Sequence, residues 1–221
     1  MIRHLLLDLD NTLYPASDGM DAGITRRMHE FVARYLGVSF EEGIRLRAAG
    51  LPSYGTTLEW LKNDHGLQDQ NAFFEAVHPP CEIEELRQDP NLRDYLLSLN
   101  LPLTILTNAP KAHAERVLRF FNIEDIFRGV FDLTFHNGKG KPHPDCFLNT
   151  LAAVGFSVDE TLFVDDHPKY ILGYRAIGGK AVLVDETGKF ADFAKMEGVP
   201  RIDSIYGLAA LLAPGGDLSN S

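Results

Sequence analysis

Strand-length apolar runs that recur between amphipathic helical stretches are the strongest constraint on what this chain can become. Leu5 to Leu9, Leu103 to Thr107, Thr161 to Asp165 and Ala181 to Val184 are short and rich in leucine and valine. Between the last three lie helical patterns at about Lys111 to Phe121, Pro144 to Val154 and Tyr170 to Ile177. Strands that alternate with helices need crossover connections, which are right-handed and join parallel neighbours. The expected fold class is therefore α/β: a Rossmann-like three-layer core, with a mainly parallel sheet and helices on both faces. "VFDLTF", Val130 to Phe135, is a further candidate strand.

The stretch from Pro15 to Pro90 has a different rhythm. In "AGITRRMHEFVARYLG" the residues Ile24, Met28, Phe31, Val32, Tyr35 and Leu36 recur at spacings of three and four, which marks one face of a helix. Helical patterns follow at about Phe40 to Ala49, Thr57 to Asn63 and Gln70 to Val77, and Trp60 with Phe73 and Phe74 reads as their packing. This predicts a helical insertion after the first strand. The expected division is an α/β core over 1–14 and 91–214, a helical domain over 15–90 and a flexible tail over 215–221, where "APGGDLSNS" holds turn formers and no apolar period.

Composition narrows the function. The 221 residues are 45% hydrophobic, enough for one sizeable core with a smaller insertion. Lys and Arg total 21 against 31 Asp and Glu, a formal charge of −10 without a basic run, so neither a nucleic-acid polymer nor an anionic membrane is an expected partner. Cys81 and Cys146 have no metal-ligand or redox spacing and read as reduced thiols. With no apolar run near the ~20 residues that span a bilayer, and no leader pattern, the expected setting is cytoplasmic. "GKGKP" lacks the glycine spacing and the hydroxyl residue of a phosphate-binding P-loop.

The first strand ends in acid. In "HLLLDLDNTLYP" strand alternation would put Asp8 and Asp10 on one face, where two carboxylates repel unless a proton or a cation intervenes. A strand end running into a polar Asp10-Asn11 turn is the plain alternative. Other polar residues also follow strands: Thr107-Asn108 after the second, Asp165-Asp166 after the third, and Lys141 before the helix near Pro144. In a parallel sheet these ends meet at one edge, where open α/β sheets bind their ligands.

That set suits phosphoryl transfer. Mg²⁺, a hard cation that takes oxygen ligands, would neutralise the carboxylates and hold a phosphate oxygen. One aspartate can attack phosphorus and form an aspartyl-phosphate. A second can protonate the leaving alkoxide and then activate water, help typically worth about 10²–10⁴ in rate. A lysine and a hydroxyl would stabilise charge on the remaining oxygens.

"DLDNTLY", "ILTNA", "KPHPDCF" and "FVDD" resemble, in this order, the four motifs of the haloacid dehalogenase-like hydrolases, a superfamily dominated by Mg²⁺-dependent phosphatases. The resemblance implies Asp8 as nucleophile and Asp10 as general acid/base. It implies Thr107 with the Asn108 amide as the clamp on the phosphoryl group, and Lys141 as the lysine that holds nucleophile and phosphate together. Asp8 through its carboxylate, Asp10 through its backbone carbonyl, and Asp166 would hold the metal, with Asp165 a layer behind and Thr12 steadying the loop. Where related sequences place a further Asp or Asn, "DDHPKYI" has Pro168, Lys169 and Tyr170, and this leaves the surroundings of the metal open.

By the same resemblance the helical insertion is a cap that chooses the leaving group. "SYGTTLEWLKNDHG", "DLDNTLYP", "TNAPKAHAERVL" and "GVFD" are similar to the pyrimidine 5′-nucleotidase-like branch. The implied substrate is a nucleoside 5′-monophosphate, pyrimidine-preferring, with Tyr54, Thr56 and Thr57 facing the leaving group; Thr56 also reads as a helix cap. A small metabolite such as a sugar phosphate or phosphoglycolate is the rival substrate, and a non-catalytic protein that binds a phosphorylated ligand is the rival class. His113, His143 and His167 read as surface or packing residues within reach of the site, and Glu82, Glu84 and Glu85 as a solvated face.

Overall fold

Leu5, Leu6 and Leu7 need cover on both faces, and the fold supplies it by placing them in the middle of a sheet. The computed structural model describes residues 1–213 and 215, so the tail expected over 215–221 lies, apart from Gly215, outside the described residues. The chain starts with β1 (His4–Leu7), then runs through α1 (Met20–Leu36), α2 (Phe40–Gly50), α3 (Thr57–His65), α4 (Gln70–Val77) and α5 (Leu92–Ser98). Strand and helix then alternate: β2 (Leu103–Leu106), α6 (Lys111–Phe120), β3 (Phe127–Phe131), α7 (Pro144–Val154), β4 (Thr161–Asp165) and α8 (Pro168–Ala176). The last elements are β5 (Lys180–Val184), α9 (Ala191–Glu197), β6 (Arg201–Ile202) and α10 (Leu208–Leu212).

The strand order is β3-β2-β1-β4-β5-β6 and every pairing is parallel. Leu5 sits opposite Leu103 on one side and Leu162 on the other. Alternation then sorts the side chains. Leu5, Leu7, Ile105, Val164 and Val182 face Leu92 and Leu96 of α5, Val117 and Leu118 of α6, and Leu208 of α10. Leu6, Phe163 and Leu183 face Phe147 and Leu151 of α7, Ile171 and Tyr174 of α8, and Ala194 of α9. Fully burying each such side chain contributes about 1.5–3 kcal/mol, so the three layers follow from leucines that have no polar side. The expected α/β core with helices on both faces is the observed one, with a sheet that is wholly parallel.

Three details depart from the expectation. β1 stops at Leu7, so Asp8 and Asp10 lie on the loop beyond it and strand alternation does not set their relation. The strand placed at Val130 to Phe135 runs instead over Phe127–Phe131; as a half-buried outer strand it has no clean apolar run to mark its start. Glu82 is buried, 1% exposed, and not part of a solvated face.

The chain adds β2 and β3 on one side of β1 and β4 to β6 on the other, which puts the switch in strand order beside β1. Between β1 and α5 the described structure is helical. Its helices start where the sequence offers caps: Ser39 accepts from the Glu42 amide, Thr56 from the Glu59 amide and Asp69 from the Asn71 and Ala72 amides. Among the described residues no helix is long and apolar enough to cross a membrane.

Candidate active site

Asp8 is the first residue past β1, and its amide still donates to Val164 at 2.9 Å as if the sheet continued. The carboxylate is fixed by Lys141, whose Nζ donates to Asp8 Oδ1 at 2.6 Å and to Asp165 Oδ2 at 2.6 Å. Thr12 Oγ1 lies 3.4 Å from Asp8 Oδ2 and tethers the loop. All four side chains are buried. Asp165 also accepts from the His167 amide at 2.8 Å, so both its oxygens are taken up inside the protein. Asp166 is half-buried and accepts from Asn11 Nδ2 at 3.2 Å.

Asn11 makes the loop turn back. Its φ of 58° is left-handed, a conformation asparagine tolerates better than most residues. Its Nδ2 reaches Asp166, while its Oδ1 is buried without a partner.

Lys141 is held in place by a side chain as well as by charge. Asn108 Nδ2 donates to the Lys141 carbonyl at 2.9 Å and Asn108 Oδ1 accepts from the Lys141 amide at 2.8 Å. This close pairing needs a glycine next door, since a Cβ on Gly140 would lie 2.0 Å from Asn108 Oδ1. Thr107, 1% exposed, accepts from the Ala109 amide at 3.0 Å. The side chain of Asn108 thus serves the lysine, a task the sequence did not reveal.

Electrostatics mark the acids out. Burial, then the neighbouring charges of Asp165 and Asp10, push Asp8 up to about 7 despite the opposing pull of Lys141. Burial, followed by the charges of Asp165 and Asp8, also pushes Asp166 well above the usual carboxylate range. Oxygens of Asp8, Asp165 and Asp166 all lie within 4.8 Å of one another. Asp8 and Asp166, with Asp165 anchoring Lys141 behind them, give an all-oxygen donor set of the kind a hard divalent cation takes.

Asp10 is handled differently. Its Oδ1 accepts from the Tyr14 hydroxyl and from His113 Nε2, the latter at 2.7 Å. Burial works against ionisation, but His113 outweighs it and holds Asp10 below the usual carboxylate range. His113 is itself fully buried; burial alone would lower its pKa, and the carboxylates of Asp10 and Glu82 raise it to about 9. His78, Glu82 and His113 lie close enough to share a cation, but Glu82 is already matched by the Arg116 guanidinium and by His113.

A cavity of about 480 Å³ lies over these residues, bounded below by Asp8, Asp10, Thr107, Asn108, Lys141 and Asp166 and above by residues of α1 to α4. Tyr54, Thr56 and Thr57 line it, but their hydroxyls are occupied. Tyr54 donates to Asp64, Thr56 caps α3, and Thr57 accepts from Arg47 Nε at 2.8 Å. Phe73 and Phe74, read as packing, also face the cavity. Lys169 donates to the Tyr54 carbonyl, so the lysine standing where an Asp or Asn was expected ties the α8 end of the sheet to the helical segment. His167 caps α8, its Nδ1 accepting from the Lys169 amide at 3.2 Å, and His143 lies 2.9 Å from Glu59.

Arg47 was not singled out by the sequence, where it looks like one more charge on a helix. It lines the cavity, contacts Thr57, His29 and Met28, and among the described residues forms no ion pair, although Asp21 on the same cavity acts on its charge.

A family model described as haloacid dehalogenase-like hydrolase matches residues 2–178. Phosphate metabolism protein 8 of Saccharomyces cerevisiae is 26% identical over 185 residues, 77% of this chain, which spans 58% of the length of that relative. A glyceraldehyde 3-phosphate phosphatase of Pyrococcus abyssi is 27% identical over 195 residues, 82% of this chain and 81% of that one. The crystal structure of a phosphatase from Thermococcus onnurineus has the same fold, with a TM-score of 0.64 at 22% identity over 99% of this chain and 100% of that one.

Proposed function

The chain belongs to the haloacid dehalogenase-like hydrolases, and from that premise we infer that it is a Mg²⁺-dependent phosphomonoesterase that works through an aspartyl-phosphate on Asp8. The carrying observation is Asp8 itself: a buried carboxylate gripped by Lys141, facing a cavity it shares with Asp10, beside Asp165 and Asp166. The relatives named as phosphatases support the same chemistry.

In this reading Asp8, Asp166 and the Asp10 carbonyl hold the metal, while Asp165 anchors Lys141 from behind. When bound, the cation neutralises the carboxylates and the phosphoryl oxygens that approach them. Asp8 forms a bond to phosphorus as the bond from phosphorus to the leaving oxygen breaks, and Asp10, ionised in the free site but driven to take up a proton by the negative charge of the arriving phosphate, gives that oxygen its proton. Water then attacks phosphorus, hands a proton to Asp10, and the Asp8–phosphorus bond breaks to release inorganic phosphate. Lys141 and Thr107, with the Asn108 amide, stabilise charge on the phosphoryl oxygens throughout.

The helical segment over 15–90 acts as the cap and sets the leaving group. A pyrimidine nucleoside 5′-monophosphate is the first substrate reading, supported by the resemblance of "SYGTTLEWLKNDHG" and by Tyr54, Phe73 and Phe74 along the cavity, where a base can stack. A second reading is favoured by Arg47: a cation in the cavity wall that, among the described residues, bonds to no carboxylate and feels only one, the more distant Asp21, suits a small ester whose alcohol part carries its own anion, as in a phosphorylated hydroxy acid.

The test combines a variant with a substrate panel. Asp8→Asn is expected to abolish turnover of an aryl phosphate while melting like the parent; equal activity would refute the aspartyl-phosphate. Nucleoside monophosphates, sugar phosphates and phosphoglycolate, assayed with Mg²⁺ and then with EDTA, rank the substrates. Ligand binding without Mg²⁺-dependent phosphate release would replace the enzyme by a binding protein.

A further inference from the structure

One oxygen of Asp10 is committed before any substrate arrives. Oδ1 accepts from the Tyr14 hydroxyl and from His113 Nε2, whereas Oδ2 accepts no hydrogen bond among the described residues. An oxygen left free on the cavity side is what proton transfer to a leaving group needs.

The ring that holds Oδ1 is itself held at its other end. His113 Nδ1 lies 2.7 Å from Glu82 Oε1, and the same oxygen accepts from Arg116. Arg27 of α1 stands 3.7 Å from the second Glu82 oxygen and donates to Glu85 at 2.7 Å. The side chains of His113 and Glu82 have no exposed surface. An imidazole engaged at both nitrogens and enclosed on all sides has one orientation, and it passes that orientation to Asp10. Ordering by packing and supporting hydrogen bonds is how an acid is kept within the narrow tolerance that proton transfer requires.

Building these groups into the fold uses residues far apart in the chain. Glu82 sits on the segment Pro80–Glu85, by which the chain returns from α4 towards α5 and the sheet, and His113 sits in the first turn of α6. Neither belongs to the four motifs, and neither is placed to touch the phosphoryl group. His113 reaches the chemistry through Asp10, whereas Glu82 reaches it through His113 and through His78, a cavity residue whose Nδ1 lies 3.1 Å from Glu82 Oε2.

We propose that His113 is the positioning residue of the general acid/base Asp10, and that Glu82 fixes His113 in that role. The proposal rests on the phosphomonoesterase reading given above. Its signature is dependence on the leaving group. An alkyl phosphate cannot lose its alkoxide without a proton, whereas a dinitrophenolate leaves unaided, so in the step that loads Asp8, which kcat/KM reports, a misplaced Asp10 harms the first ester and spares the second.

Steady-state kcat and KM are measured with Mg²⁺ for an alkyl phosphate and for 2,4-dinitrophenyl phosphate. His113→Ala is expected to lower kcat/KM for the alkyl ester by about 10²-fold and to leave kcat/KM for the dinitrophenyl ester within about 3-fold; kcat, which includes the water step that Asp10 serves for both esters, is expected to fall for each. His113→Gln, which keeps a donor for Asp10, is expected to recover most of the loss. In an Asp10→Asn background His113→Ala adds nothing further, because the residue acts through Asp10. Glu82→Gln, which keeps the hydrogen bond and removes the charge, serves as the second variant should His113→Ala fail to fold; it is expected to show a smaller loss with the same ester preference. An equal fall in kcat/KM on both esters, or a full additional loss in the Asp10→Asn background, overturns the proposal while leaving a working phosphatase. Failure of the parent protein to cleave either ester overturns the phosphatase reading, and the proposal with it.

Discussion

Lys141→Met tests the charge balance on which the whole site depends. Lys141 is 1% exposed, and its Nζ sits 2.6 Å from Asp8 Oδ1 and 2.6 Å from Asp165 Oδ2. Methionine fills nearly the same volume, so packing against Phe163 and Tyr170 survives while two buried carboxylates lose their shared counter-charge. Breaking a buried ion pair by removing one partner costs about 3–5 kcal/mol. In a chain of 221 residues each kcal/mol moves Tm by about 2–4 °C, so the melt in EDTA is expected to fall by roughly 6–20 °C. Two further outcomes follow from the same geometry. Adding Asp8→Asn removes one of the stranded charges and makes the double variant more stable than Lys141→Met alone. Millimolar Mg²⁺ stabilises the variant more than the parent, because a cation bound only by the folded state takes over the missing neutralisation. Circular dichroism melts in EDTA and in Mg²⁺ measure all three. A variant that melts within about 2 °C of the parent in EDTA, or a double variant with no recovery, refutes the claim that Lys141 balances Asp8 and Asp165.

Arg47→Met separates the two substrate readings: losing a charge-assisted hydrogen bond worth about 1.5–3 kcal/mol should cut kcat/KM for a phosphorylated hydroxy acid by roughly 10- to 150-fold and leave a nucleoside 5′-monophosphate unaffected. A uniform fall across all esters would mean that Arg47 serves the phosphoryl group itself. Gly140→Ala pushes the Asn108 side chain off the Lys141 backbone; loss of the two hydrogen bonds, about 1–3 kcal/mol, should lower Tm by roughly 2–12 °C, and an unchanged melt would show that the clamp is dispensable.

The core strands were legible because a strand buried on both faces must be apolar throughout. Leu5 to Leu7 and Leu162 to Val164 satisfy that rule, and parallel pairing then follows from the helices between strands. β3 and β6 break it, one half-buried at the outside of the sheet and the other two residues long, so their bounds could not be read. The acids and Lys141 were legible because chemistry restricts which residue types can follow each strand. His113 and Glu82 were not: they are 31 positions apart, each bonds to a group remote in the chain, and "EIEE" has the composition of a surface. Burial of a charge depends on partners brought in by tertiary structure, and local pattern carries no trace of it. The same limit applies to the hydroxyls of Tyr54 and Thr57, whose residue types suggest ligand contact and whose bonds run to Asp64 and Arg47.

The central position of β1 also has a consequence for how the molecule is made. His4 bonds across the sheet to Thr104 and Thr161, which lie 100 and 157 positions later in the chain. At a ribosomal pace of about 5–20 residues per second, the strand waits roughly 8–30 s between its own synthesis and that of its second neighbour. During that interval three leucines with no polar face have no sheet to join, while α1 to α4 can form from local contacts as they emerge. The first strand of this sheet to be synthesised is therefore among the last to be locked, and the segment that carries Asp8 is the one most in need of protection from premature association.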